Sequence, residues 1–168
     1  MTISMYQASV PVFKRMLKNL SAIIDKAAAH AAAKKIDPMV LAGDRLAPDM
    51  LPFPRQVFIA CDAAKFCVAR LAGVEAPKFA DDEKTFDELK ARIQKTIDFF
   101  DTVKPNQIDG TEEKEITFPV GGKPMTFKGQ AYLLTVAMPN HYFHITTAYN
   151  ILRHNGVEIG KMDFLGRD

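Results

Sequence analysis

Apolar residues recur along this chain mainly at three- and four-residue steps, the spacing that places them on one face of an α-helix. The first such stretch runs from about Ser4 to Lys35, with Val10, Phe13, Leu17, Leu20 and Ile24 on one stripe. Pro11 lies near its start and predicts either a bend or a helix that begins just before it. The run from Ala27 to Ala33 has strong helix propensity and small side chains, so another element can approach closely there. Asp37-Pro38 ends this helix. The segment from Pro38 to Pro54, which also holds Gly43, Pro48 and Pro52, is predicted to be irregular, with short turns such as Met39 to Leu41.

A second helix is predicted from about Pro54 to Leu71, with Val57, Cys61, Ala64, Val68 and Leu71 facing the core and Gly73 ending it. After a polar connection, Thr85 and Glu88 match a capping box, in which side chain and backbone satisfy each other at a helix start. The third helix carries Leu89, Ile93, Ile97 and Phe100 on one face and stops at Lys104-Pro105. The period then changes. Glu115 to Phe118 and Met125 to Phe127 alternate around Gly121-Gly122, which predicts a β-hairpin packed against the helices. The last helical region begins near Gly129. Pro139 predicts a kink or two abutting helices, and Gly156 marks the end. The remaining tail is expected to be irregular, with Phe164 and Leu165 tucked onto the body. These elements predict one all-α domain over residues 1–168, a four-helix bundle with a small hairpin before the last helix.

Composition agrees with a globular domain: 48% of residues are apolar and 25% charged, which argues against disorder. A net charge of +2 gives no electrostatic case for nucleic acid or an anionic membrane. No apolar stretch is long enough to cross a bilayer, and no basic region precedes an apolar run at the N-terminus. Cys61 and Cys67 stand six apart on one predicted helix, so their thiols point in different directions. Free thiols without a leader lead to the expectation of a reducing cytoplasm.

Candidate chemistry concentrates between Met138 and Gly156, which holds three of the four histidines: His141, His144 and His154. His141 and His144 share one helix face. A catalytic zinc or nickel ion needs three protein ligands and an open position. These two histidines supply two, and the third would come from Asp62, Cys61, His30 or Asn140; the spacing selects none of them. His30 is expected to be partly exposed, and Asp62 to be a solvated boundary residue. Asp81, Asp82 and Glu83 are expected to form a solvated acidic loop before a helix N-terminus. Tyr142, Phe143 and Tyr149 either line a pocket beside the histidines or pack. There is no glycine-rich phosphate loop opening a helix, and no G-x-S-x-G.

The run from His144 to Gly156, H-I-T-T-A-Y-N-I-L-R-H-N-G, resembles the last-helix motif of the DinB/YfiT-like superfamily. Pro52-Phe-Pro-Arg-Gln56 and Ala69-Arg-Leu-Ala-Gly73, at the two ends of the second helix, resemble an uncharacterised branch of it. The resemblance implies a four-helix bundle, a homodimer and, in many members, metal-dependent chemistry such as thiol transfer. It also places His144 on the second motif histidine. The first motif position holds Asn140, with His141 one residue over, and the expected helix-two histidine is Ile59. The expected function is therefore a small-ligand-binding or interaction module with degenerate metal ligands and no resident cofactor. The alternative is a divergent thiol transferase using zinc or nickel on His141 and His144. Candidate ligand contacts are His141, His144, Tyr149, Asp62, Arg55 and Gln56.

Overall fold

The computed structural model describes residues 2–166. Helix α1 spans Met5–Lys34 and opens on a capping box between Ser4 and Gln7. Pro11 lies inside α1 on the exposed side, so the helix starts well before the proline. A short α2, Pro38–Ala42, is the one helical piece in the proline-rich connection that follows. Helix α3 spans Phe53–Ala72 and ends at Gly73 in the left-handed conformation. Helix α4, Phe86–Asp101, begins with the expected Thr85–Glu88 capping box. Such a cap contributes about 1 kcal/mol.

After a helical turn α5, Pro105–Ile108, come strands β1, Glu115–Val120, and β2, Lys123–Lys128. They pair antiparallel around Gly121-Gly122, with Pro119 opposite Pro124. The strands therefore extend past both prolines. A two-stranded ribbon leaves one edge of each strand free, and a proline there removes no ladder hydrogen bond. Phe118 and Phe127 stack at 5.7 Å and lean on Tyr132, which fastens the hairpin to the bundle.

The chain enters the last long helix through α6, Gly129–Tyr132. Gly129 is required there: a Cβ would lie 2.1 Å from the Thr111 carbonyl oxygen. A π-helical turn, Leu133–Ala137, then joins α7, Met138–His154, without a break. In that turn the Met138 N–H bonds Leu133 O, five residues back. The predicted kink is replaced by this wider turn, which relieves the crowding that Pro139 would impose on the turn before it. The tail is also more ordered than expected. It folds into α8, Lys161–Leu165, and lies on α1. Phe164 is half-buried against Tyr149, but Leu165 is exposed and not tucked in.

Helix α3 is the centre of the bundle. It packs on α7 along one flank and on α4 along the other, while α1 closes the far side against α4. One continuous apolar core runs through all four long helices. The expected stripes on α1, α3 and α4 are buried in it, as are both free cysteines. No helix among the described residues is long and apolar enough to cross a membrane.

Candidate functional site

Gln56 and Ala60 stand one turn apart on α3 and face α7. Opposite them are His141 and His144, also one turn apart. His141 is fully enclosed, and its Nδ1 lies 2.8 Å from the Ala60 carbonyl oxygen. A carbonyl only accepts, so Nδ1 carries the proton and donates. Its other nitrogen, Nε2, is buried without a partner among the described residues. Phe13 meets the ring edge-on at 4.9 Å. Burial pushes the His141 pKa down to about 4, against a smaller opposing pull from the Ala60 bond.

His144 is held by a relay. Its Nδ1 lies 2.7 Å from Gln56 Oε1, and Gln56 Nε2 donates to the Leu51 carbonyl at 2.8 Å. The second bond fixes the amide's orientation, so His144 Nδ1 is again the donor. His144 keeps 9% exposure, and burial lowers its pKa as well. Both rings are therefore neutral imidazoles with Nδ1 tied to α3 and Nε2 carrying a lone pair. The one-residue displacement from Asn140 to His141 does not take the ring off the inner face, because positions three and four before His144 neighbour it equally. Asn140 itself is exposed.

On the other flank of α3, Phe58, Asp62 and Lys65 face α4 and the connection between α3 and α4. Here the structure corrects two expectations. Asp62 is not a solvated boundary residue: one of its oxygens takes Lys65 Nζ at 2.8 Å and Arg92 Nη2 at 3.1 Å. The acidic loop is solvated only in part: Asp81 and Asp82 are exposed as expected, but Arg92 Nη1 draws in Asp81 at 2.6 Å and Glu83 at 3.2 Å. The Arg92 side chain is wholly buried, with its guanidinium over Phe58 at 4.5 Å and Phe79 at 4.8 Å. Asp81 adopts a left-handed backbone, φ 59°, within the segment that delivers these carboxylates. Such backbone costs on the order of 1 kcal/mol outside glycine, and the ion pair offsets it. Arg92 carried a readable signal: it stands three residues after Leu89, on the buried stripe of α4, where a cation requires acidic partners.

The remaining predicted residues scatter. Tyr149 points to the tail, with its hydroxyl 3.5 Å from Ile159 O and its ring edge-on to Phe164. Arg55 lies over Phe58 and 3.8 Å from Asp81, beside the charged cluster and not beside the histidines. His30 is half-exposed on α1. Burial pushes the Cys61 thiol up to about 12, partly opposed by a hydrogen bond with Thr96 of α4; a protonated, enclosed thiol is a poor nucleophile. None of the four candidate third ligands joins the two histidines. Among the described residues, no three His, Cys, Asp or Glu side chains form a group that can hold a metal ion. A zinc or nickel centre with three protein donors does not fit a set that stops at two imidazoles.

A solved structure of a DinB family member protein from Shewanella denitrificans is 45% identical to this chain. The match has a TM-score of 0.88 and covers 97% of this chain and 92% of that one, which defines the class as a DinB-like helix bundle. No curated protein matches the chain. Within that class, the chain belongs to the family described as domain of unknown function DUF1993, whose model matches residues 5–165.

Proposed function

We propose that this protein is a one-domain, non-enzymatic module that binds a small ligand or a partner at the α3–α7 seam, works without a resident metal, and acts as a cytoplasmic homodimer. The observation that carries this reading is the pair of Nδ1 bonds, His141 to Ala60 and His144 to Gln56. They tie α7 to α3, and of the two rings His144 alone stands on a motif histidine of the superfamily it resembles. Of the two rings, His144 is the one with exposure left, so its Nε2 is the acceptor available to a ligand's hydrogen-bond donor. Phe143, 56% exposed and edge-on to it at 5.2 Å, supplies an apolar neighbour. The dimer and the cellular compartment rest on family analogy and on the buried free thiols.

A second reading has one observation in its favour. A histidine whose Nδ1–H is held by an oxygen while Nε2 stays bare is oriented as metal ligands are. Metal analysis of protein purified without a histidine tag separates the two. The module reading predicts no stoichiometric zinc, nickel or iron, even after dialysis against each ion, and predicts that His144→Ala alters stability without altering metal content. Stoichiometric metal that is lost in His144→Ala would overturn it in favour of a divergent thiol transferase. Light scattering at micromolar concentration is expected to give a dimer; a monomer alone would remove that part of the proposal.

A further inference from the structure

A cavity lies across α3 from the histidines, between the C-terminal half of the helix and the 74–81 segment, with a volume of about 460 Å³. That volume suits a small organic molecule. Its apolar walls include Phe66, Phe79 and Pro77, and its charged lining includes Lys65, Arg70 and Lys78. The carboxylates of Asp62 and Asp81 also reach it, but both are engaged by Arg92. Arg70 is not neutralised in this way. Its Nη1 donates to the Tyr132 hydroxyl at 2.7 Å, and its guanidinium lies among Phe118, Phe66 and Tyr132. No carboxylate among the described residues pairs with it. Lys78 has no partner there, and neither has Glu75 on the same lining. The lining carries three cations and three carboxylates, but Asp62 and Asp81 are held by Lys65, Arg92 and Arg55, which leaves Arg70 and Lys78 facing Glu75 alone beside aromatic walls.

The covering strap is lightly held. Among the described residues, none from Glu75 to Ala80 makes a hydrogen bond or ion pair, and Phe79 is fixed through its ring against Lys65 and Arg92. A second cavity, of about 560 Å³, lies along the same residues and borders Phe99 and Val103. The strap thus has space on two sides.

We propose that the cavity under the 74–81 strap binds a small aromatic monoanion, its carboxylate meeting Arg70 and Lys78 and its ring lying against Phe66 and Phe79. This site is independent of the histidine seam. The test is an NMR titration of the ¹⁵N-labelled full chain with benzoate, benzyl alcohol and benzylamine. Benzoate is expected to shift the amides of residues 65–70 and 74–79, and to bind about fivefold or more tightly than its neutral and cationic counterparts. Arg70→Gln is expected to weaken benzoate about tenfold. Because Arg70 also steadies the hairpin, Lys78→Glu is the companion variant: its exposed side chain has no partner to lose, and it is expected to weaken benzoate about threefold or more. No binding, equal affinity for the three probes, shifts elsewhere, or benzoate affinity unchanged in Lys78→Glu would each overturn the proposal.

Discussion

The two flanks of α3 bury polar groups in opposite ways. Towards α7 the buried groups are neutral: two imidazoles donate one proton each to α3 acceptors, and the His141 Nε2 lone pair has no partner among the described residues. Towards α4 they are ionic. One guanidinium and one ammonium meet three carboxylates, with aromatic rings on the guanidinium's faces. A neutral imidazole can sit in an apolar interior but resists taking up a proton. A buried guanidinium cannot lose its charge, so its cost is met by acids drawn in from a connecting segment. The first flank is therefore sensitive to pH, and the second to the integrity of its pairs.

The largest effect is expected from emptying the ionic flank. Arg92→Met should cost roughly 2–4 kcal/mol in denaturant unfolding. This is somewhat under the loss for a fully enclosed pair, because Asp81, 39% exposed, can rehydrate. A change under about 0.5 kcal/mol would show that the carboxylates do not depend on Arg92, and would dissolve the contrast between the flanks.

Acid sharpens the contrast from the other side. The folded pKa of His141 lies near 4, below the ordinary histidine value of 6.5. In the window between these values the unfolded chain binds the proton and the folded chain does not, so this contribution to stability is complete above pH 6.5 and is lost as pH falls towards 4. The expected loss is roughly 2 kcal/mol between pH 7 and pH 5. His144, shifted in the same direction, adds to it. His141→Leu should flatten the pH dependence while staying within about 1 kcal/mol of the native protein at pH 8, since it removes an unmatched buried nitrogen along with the hydrogen bond. An equally steep profile in His141→Leu would place the sensitivity elsewhere.

The smallest effect concerns the relay. Gln56→Leu removes the acceptor of His144 and the donor to Leu51, and is expected to cost about 1–2 kcal/mol at pH 7. It should leave the Arg92 cluster undisturbed: combined with Arg92→Met, the two costs should add to within about 0.5 kcal/mol. Strong coupling would mean that the flanks communicate through α3 and are not separate devices.

These flanks also mark where the amino-acid sequence could be read and where it could not. The helix stripes, the Thr85–Glu88 cap and the hairpin were legible because each is written in local spacing, and the DinB-like architecture through the resemblance of the last-helix run and the two ends of α3 to that superfamily. His141 and His144 were legible as one face for the same reason. Their partners were not: Ala60 offers a backbone carbonyl, which no side chain announces. Arg92 stands on the legible stripe of α4, but its partners Asp62, Asp81 and Glu83 are brought to it by the packing of α3 and the connection before α4, over distances that periodicity cannot see. Tyr149 shares the helix with the histidines, but α8, an element expected to be irregular, draws it to the tail. The π-helical turn had a visible cause in Pro139, yet kinking and widening are alternative answers to one steric problem.

The histidine rings themselves distinguish neutral ties between helices, with the proton on Nδ1 of His141 and His144, from ligands of a metal ion. Long-range ¹H–¹⁵N correlation spectra of the histidine rings, recorded at pH 7 before and after one equivalent of zinc, test this directly. The Nδ1–H tautomer is expected for both rings, with no change on adding zinc. Displacement of both Nε2 resonances at one equivalent would contradict it.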